Sequence, residues 1–166
     1  MAIVCLAIIS ACATSPTIKK PSIVKTNSAS NTEPSRHYDA GAAEYLKCEN
    51  AERYEYTIVG DGHCVSLIKK CSGAPDTVNW RPGPYVIDSE VAPGTIIATF
   101  KNGRYPSKAG YHAAVFIEQS NDGIWVWDQW KGKPVHKRLI KYQNRETSYE
   151  SNRAQAYRIV YINKEH

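Results

Sequence analysis

The side chains best suited to covalent chemistry lie in two short runs. In Gly60-Asp61-Gly62-His63-Cys64 a cysteine follows a turn-like stretch and precedes the apolar pattern Val65, Leu67, Ile68. This reads as a helix start. Asp61 or Gly62 can cap it, Lys69 and Lys70 fall in the last turn, and Gly73 ends it. Cys64 then sits in the first turn, where unpaired backbone N–H groups and the positive dipole end favour thiolate over thiol. The same N–H groups can receive the oxyanion of a tetrahedral intermediate. The preceding glycines let a substrate backbone approach closely. The competing reading is a small buried cysteine with no chemistry, and a base within reach decides between them.

Five histidines are available. His37 borders a polar N-terminal stretch, His136 follows a Gly-Lys-Pro loop, His166 is terminal, and His63 adjoins Cys64 so that the two side chains diverge. His112 remains. It opens the strand-like run His112-Ala113-Ala114-Val115-Phe116-Ile117, and a strand mouth can face a helix N-terminus packed on the sheet. The group that orients its imidazole should come from the next strand, Ile124 to Trp130. If Ser120-Asn121-Asp122-Gly123 forms the hairpin loop, Gln119 faces Ile124 and His112 faces Lys131. Strand alternation then puts Gln129 on the face of His112 and Asp128 on the other. A one-residue bulge would exchange the two, so both stay as candidates, with Gln129 ahead on parity.

The elements around these residues need one modest core, with about 130 residues left once head and tail are set aside. Residues 1–12, MAIVCLAIISAC, pair a short apolar run with small residues, as in a secretory signal. Ile9-Ser10-Ala11-Cys12 resembles a lipobox, with Cys12 as the lipidated residue. Residues 13–36 are rich in Ser, Thr, Pro, Asn and Lys and read as a flexible tether of roughly 75–80 Å at full extension. The catalytic domain is expected over 37–166. With Cys5 and Cys12 assigned to the head, Cys48, Cys64 and Cys71 are left, an odd number. Pairing Cys48 with Cys71 in an oxidising compartment leaves Cys64 as the free thiol.

The net charge of +5 lies mostly in the tail, where Lys19, Lys20, Lys25 and Arg36 oppose Glu33; the domain has no basic block of the kind nucleic-acid binding needs. No CxxC pair, HExxH, calcium loop or phosphate-binding glycine run occurs, so no metal or other cofactor is expected. Tyr (11) and Trp (4) outnumber Phe (2), which suits surfaces both apolar and hydrogen-bonding.

In order along the chain come Gly62-His63-Cys64-Val65, the Trp80-Arg81-Pro82-Gly83 loop, Ala92-Pro93-Gly94 leading a strand, His112-Ala113-Ala114, and Trp127-Asp128-Gln129-Trp130. This order, over residues 55–142, resembles the papain-like peptidoglycan hydrolases of the CHAP and NlpC type, and within them the amidase effectors of type VI secretion. The resemblance implies an α+β fold with the cysteine helix packed on an antiparallel sheet. It implies hydrolysis of amide bonds in peptidoglycan stem peptides or cross-links, without metal. It aligns Gln129 with the position where CHAP members carry an orienting Asn. Asp61, His63, Trp80, Tyr105, Tyr111 and Trp130 flank the pocket in sequence and are the candidate substrate contacts. The signal-like N-terminus favours a resident envelope enzyme, with a secreted antibacterial effector as the alternative and a non-catalytic wall-binding lipoprotein as a third reading. The expected partners are peptidoglycan, an immunity protein if the chain is an effector, and a membrane only through a lipid anchor; the chain is expected to be monomeric.

Overall fold

A computed structural model of the chain describes residues 43–143 and 149–163. The expected signal segment with Cys12 and the expected tether lie outside these residues. No helix among the described residues is long and apolar enough to cross a membrane.

The described part is α+β: one helix on one antiparallel sheet. The strands are β1 (Ala43–Tyr45), β2 (Trp80–Tyr85), β3 (Ile96–Thr99), β4 (Ala113–Ser120), β5 (Gly123–Trp130), β6 (Lys133–Lys141) and β7 (Tyr157–Asn163), and the helix α1 spans Cys64–Ser72. Spatial order is β1-β7-β3-β4-β5-β6, with β2 also pairing β7. The central strand β3 reads Ile-Ile-Ala-Thr and is buried along its whole length, because both faces of the sheet are covered there.

Alternation along the strands divides the core. Ala113 and Val115 join Ile96, Ala98, Trp80 and Ile68 of α1 in one cluster. Ala114 and Phe116 join Ile97, Ile124, Val126, Ile140 and Tyr157 in another. Leu67 points from α1 to Val59 and Val135. Leu67 and Ile68 are both fully buried, and each contributes about 1.5–3 kcal/mol by leaving water. The helix ends at Gly73, which adopts φ 70° and returns its N–H to the Lys69 carbonyl. That left-handed position is one a side chain with a Cβ would strain. Cys48 and Cys71 are disulfide-bonded with Cα atoms 5.3 Å apart, tying the segment after β1 to the last turn of α1.

The β4–β5 hairpin starts in the expected register, with Gln119 opposite Ile124 and Ser120 opposite Gly123. It does not stay there. Ile117 is bulged out of the ladder, so Phe116 faces Val126 and Val115 faces Trp127. Every residue of β4 before the bulge therefore exchanges faces relative to the count from the turn. A second shift follows between β5 and β6: Trp130 faces Lys133, but Asp128 faces His136. The extra residue falls in β6 beside Pro134, which has no N–H to offer a ladder.

Candidate active site

Cys64 is the first residue of α1, one position after the helix cap, which is His63 rather than Asp61 or Gly62. Asp61 caps indirectly: its Oδ1 accepts the His63 N–H at 3.0 Å and the Ser66 hydroxyl. Those bonds, Ser66 first, hold the Asp61 carboxyl below the usual carboxylate range. Gly62 turns the chain at φ 81° and gives its N–H to the Val59 carbonyl. Among the described residues Cys64 is the one free cysteine.

His112 stands just before β4. Its backbone is locked to the end of β3, with its N–H on Thr99 Oγ1 at 3.0 Å and its carbonyl accepting the Thr99 N–H at 3.0 Å. Its Nε2 lies 2.8 Å from Asp128 Oδ2, which leaves Nδ1 as the ring nitrogen for the Cys64 thiol. Asp128 is fully buried, and Arg138 Nε and Nη2 both donate to Oδ2, at 2.8 and 2.6 Å.

The expected Gln129–His112 contact is not formed. The bulge at Ile117 puts Asp128 on the face of His112 and turns Gln129 to the opposite side. There Gln129 is fully buried; its Oε1 accepts the Val59 N–H at 2.9 Å, and its Nε2 donates to the Val59 and His63 carbonyls at 2.8 Å each. Those two residues bracket the Gly60–Gly62 turn. Gln129 thus holds the loop that delivers Cys64, while Asp128 holds His112.

The electrostatics follow from these contacts. Burial alone would push the Cys64 thiol up. The hydrogen bond to His112, its positive charge, the Tyr105 hydroxyl at 3.4 Å and the Ala113 N–H outweigh it and bring the thiol down to about 7. Burial likewise opposes a charged His112, yet Asp128 and Cys64 raise it to about 9. Asp128 stays below the ordinary carboxylate range: burial works against this, and His112 and Arg138 prevail. Around pH 8 the arrangement therefore favours thiolate beside imidazolium, buttressed by a carboxylate. Burial, and then the neighbouring Cys64, push the Tyr105 hydroxyl far up, so it remains a donor to the sulfur.

A cleft of about 680 Å³ opens over Cys64, and His63, Lys108, Tyr105, Tyr111 and Trp130 help to line it. Four of the six expected contact residues are therefore at the cleft. Trp80 is not: it is fully buried, its indole N–H bonds the Pro75 carbonyl at 3.0 Å, and its ring backs Tyr105 at 5.3 Å. Asp61 serves the helix start and does not line the cleft. Sequence reasoning missed Arg138 and Lys108. Arg138 could have been found only with the second register shift, which brings β6 residues of its parity to the Asp128 face. Among the described residues no three His, Cys, Asp or Glu side chains converge to share a metal ion.

Known proteins are similar to this chain in sequence, and one solved structure is similar in fold as well. The model of the family described as Dae2, Domesticated amidase effector 2, matches residues 22–160. The type VI secretion amidase effector 2 protein of Salmonella typhi is 43% identical over 116 residues, 61% of this chain and 87% of that protein. Domesticated amidase effector 2 of Ixodes scapularis is 38% identical over 114 residues, 63% of this chain and 78% of the relative. The solved structure of type 6 secretion amidase effector 2 (Tae2) superposes with a TM-score of 0.63 at 38% identity, covering 72% of this chain and 96% of that one. The family model spans more than half the sequence and the fold is shared well above chance identity: this chain belongs to the domesticated amidase effector 2 family.

Proposed function

We propose that this protein is a cysteine amidase of papain-like type that cleaves amide bonds in peptidoglycan stem peptides or cross-links, and that it acts as an effector outside the cell that makes it. The observation that carries the chemistry is Cys64 and His112 together at one open cleft, with Asp128 buried behind His112 and bonded to it. The relatives named as amidase effectors supply the reaction class and weigh the setting toward the effector over a resident wall-remodelling enzyme. A non-catalytic wall-binding module has no use for a thiol held near 7 beside a buried imidazolium.

In this mechanism the Cys64 sulfur attacks the amide carbonyl carbon as a ready-made thiolate, so no proton needs to leave it at that moment. The oxyanion is met by N–H groups of the first turn of α1. As the C–N bond breaks, the imidazolium of His112 gives its proton to the departing amine. The neutral imidazole then takes a proton from water, whose oxygen attacks the thioester, and the thiolate returns as the free acid leaves. Asp128 fixes the ring orientation and stabilises the imidazolium throughout. An immunity partner belongs to this reading, as does export; lipidation of Cys12 is a separate proposal that labelling of a Cys12→Ser variant would test.

The test is release of muropeptides from purified peptidoglycan, mapped by mass, with the wild type and Cys64→Ala. The wild type should liberate peptide fragments with new carboxyl and amino ends. Equal release by Cys64→Ala would end the cysteine mechanism.

A further inference from the structure

Three donors crowd one oxygen of the Asp128 carboxylate. His112 Nε2 and Arg138 Nε each lie 2.8 Å from Oδ2, and Arg138 Nη2 lies 2.6 Å from it. Oδ1 is buried as well, yet among the described residues it has no hydrogen-bond partner. A carboxylate held through one oxygen can swing about it, and the His112 ring that it orients swings with it. Facing Oδ1 is His136, whose Nε2 stands 3.8 Å away. We propose that His136 is a positioning residue for the reaction: its doubly protonated form donates Nε2–H to Asp128 Oδ1 and fixes the carboxylate, and through it the ring of His112. This rests on the cysteine-amidase reading above and adds a residue to it.

The other side of the His136 ring decides where its protons are. Nδ1 lies 3.0 Å from the carbonyl of Pro134. A carbonyl can only accept, so Nδ1 carries a proton. In the neutral ring Nε2 is then bare and turns its lone pair to a carboxylate oxygen, so two acceptors meet. A second proton, on Nε2, converts the contact into a charge-assisted hydrogen bond once the atoms close by about 1 Å.

The strand register puts the ring there. The extra residue beside Pro134 sets His136 opposite Asp128 and brings Arg138 to the same face. The His136 side chain is 20% exposed, and Trp130 packs against it at 4.9 Å. Of the charged groups around it, Asp128 is the anion it faces, and His112 and Arg138 lie across that carboxylate on Oδ2. Lys137, next along β6, is turned to Glu118 at 3.8 Å and to the ring of Trp125. His136 does not line the cleft over Cys64, so its influence on the reaction passes through Asp128 and not through substrate.

Asparagine and glutamine separate the two bonds of this ring. The amide nitrogen of Asn reaches the position of Nδ1, and that of Gln the position of Nε2. His136→Asn therefore keeps the Pro134 contact, and His136→Gln the Asp128 contact. With one muropeptide as substrate, kcat of His136→Gln should exceed that of His136→Asn by about tenfold across the active pH window, at nearly equal KM. The wild type should approach the Gln variant at the acid end of the window and fall toward the Asn variant at the alkaline end, because only histidine gives up its Nε2 proton. Equal kcat for the two variants, or Asn above Gln, overturns the positioning role, and so does a wild type in constant ratio to both. Cutting that still requires Cys64 in those cases leaves the amidase standing. Cutting that survives Cys64→Ala overturns the amidase reading and this inference with it.

Discussion

The two halves of the site are built by different rules. Cys64 is placed by a local device: a glycine turn, a cap and nine helical residues. His112 and Asp128 are placed by strand register, summed over residues that lie far from the turn that sets it. At the helix, an error of one or two residues moves a boundary; the cap is at His63 instead of Asp61, and Cys64 remains in the first turn. In the hairpin, an error of one residue exchanges the faces. Ile117 introduces that one residue, and with it the partner of His112 changes from Gln129 to Asp128.

The sharpest break of this comparison is on the strand side. His112→Ala should lower kcat/KM by roughly ten-thousandfold or more, since nothing else then activates the thiol or protonates the leaving amine. A steady-state assay on a muropeptide reads it, and a loss under tenfold would remove His112 from the mechanism.

Asp128→Asn comes next, at roughly 10²- to 10⁴-fold. Its signature is in the pH profile. The proposed mechanism needs Cys64 deprotonated and His112 protonated, so wild-type kcat/KM should rise through about 7 and fall through about 9. These limbs belong to the pair. Without the carboxylate, His112 loses a main cause of its raised value, so the alkaline limb moves to lower pH. The thiol, lowered chiefly by charged His112, titrates later, and the active window narrows from both sides. An alkaline limb that stays near 9 in Asp128→Asn would contradict the assignment.

Much of this was legible in the sequence, and the residues that were not share a cause. Helix signals are local and redundant: Lys69, Lys70 and Gly73 mark the end of α1 even if one is ignored. Counting thiols leaves one of Cys48, Cys64 and Cys71 unpaired, the helix-start context of Cys64 points to it as that one, and the structure pairs Cys48 with Cys71. The first pairs of the hairpin follow from the turn. Bulges have no comparable mark, because Ile117 has the residue type of any strand position. The second shift hid Arg138 in the same way: counted from Lys131-Gly132, Asp128 should face Val135, and it faces His136. Trp80 misled for a different reason. An aromatic beside Arg-Pro-Gly fits a binding loop and a core anchor equally, and only burial decides; here it is a strand residue under Tyr105.

Gln129→Ala separates the two halves further. The variant leaves the Val59 N–H and two carbonyls without their buried partner, and should cost about 3 kcal/mol of stability. Activity should fall less than in Asp128→Asn, through misplacement of Cys64, while the limbs stay near 7 and 9 because His112 and Asp128 are untouched. Denaturant unfolding and a pH profile on one preparation check both. Limbs that shift as they do in Asp128→Asn would mean that Gln129 acts on His112 after all.

The smallest effect on turnover is expected at the far end of α1. Cys48 and Cys71 close a loop with a sequence separation of 23, and replacing both with Ser frees that loop in the unfolded chain, a loss of roughly 3 kcal/mol. For a domain of this size the midpoint should drop by about 10 °C or more. Turnover at a temperature where the variant is folded should stay within about twofold, because the cap, the Gln129 bonds and the first turn all lie at the other end of the helix. A large loss of kcat in the folded variant would mean that the position of Cys64 is set along the whole length of α1, and the helix would then be as dependent on distant contacts as the hairpin is.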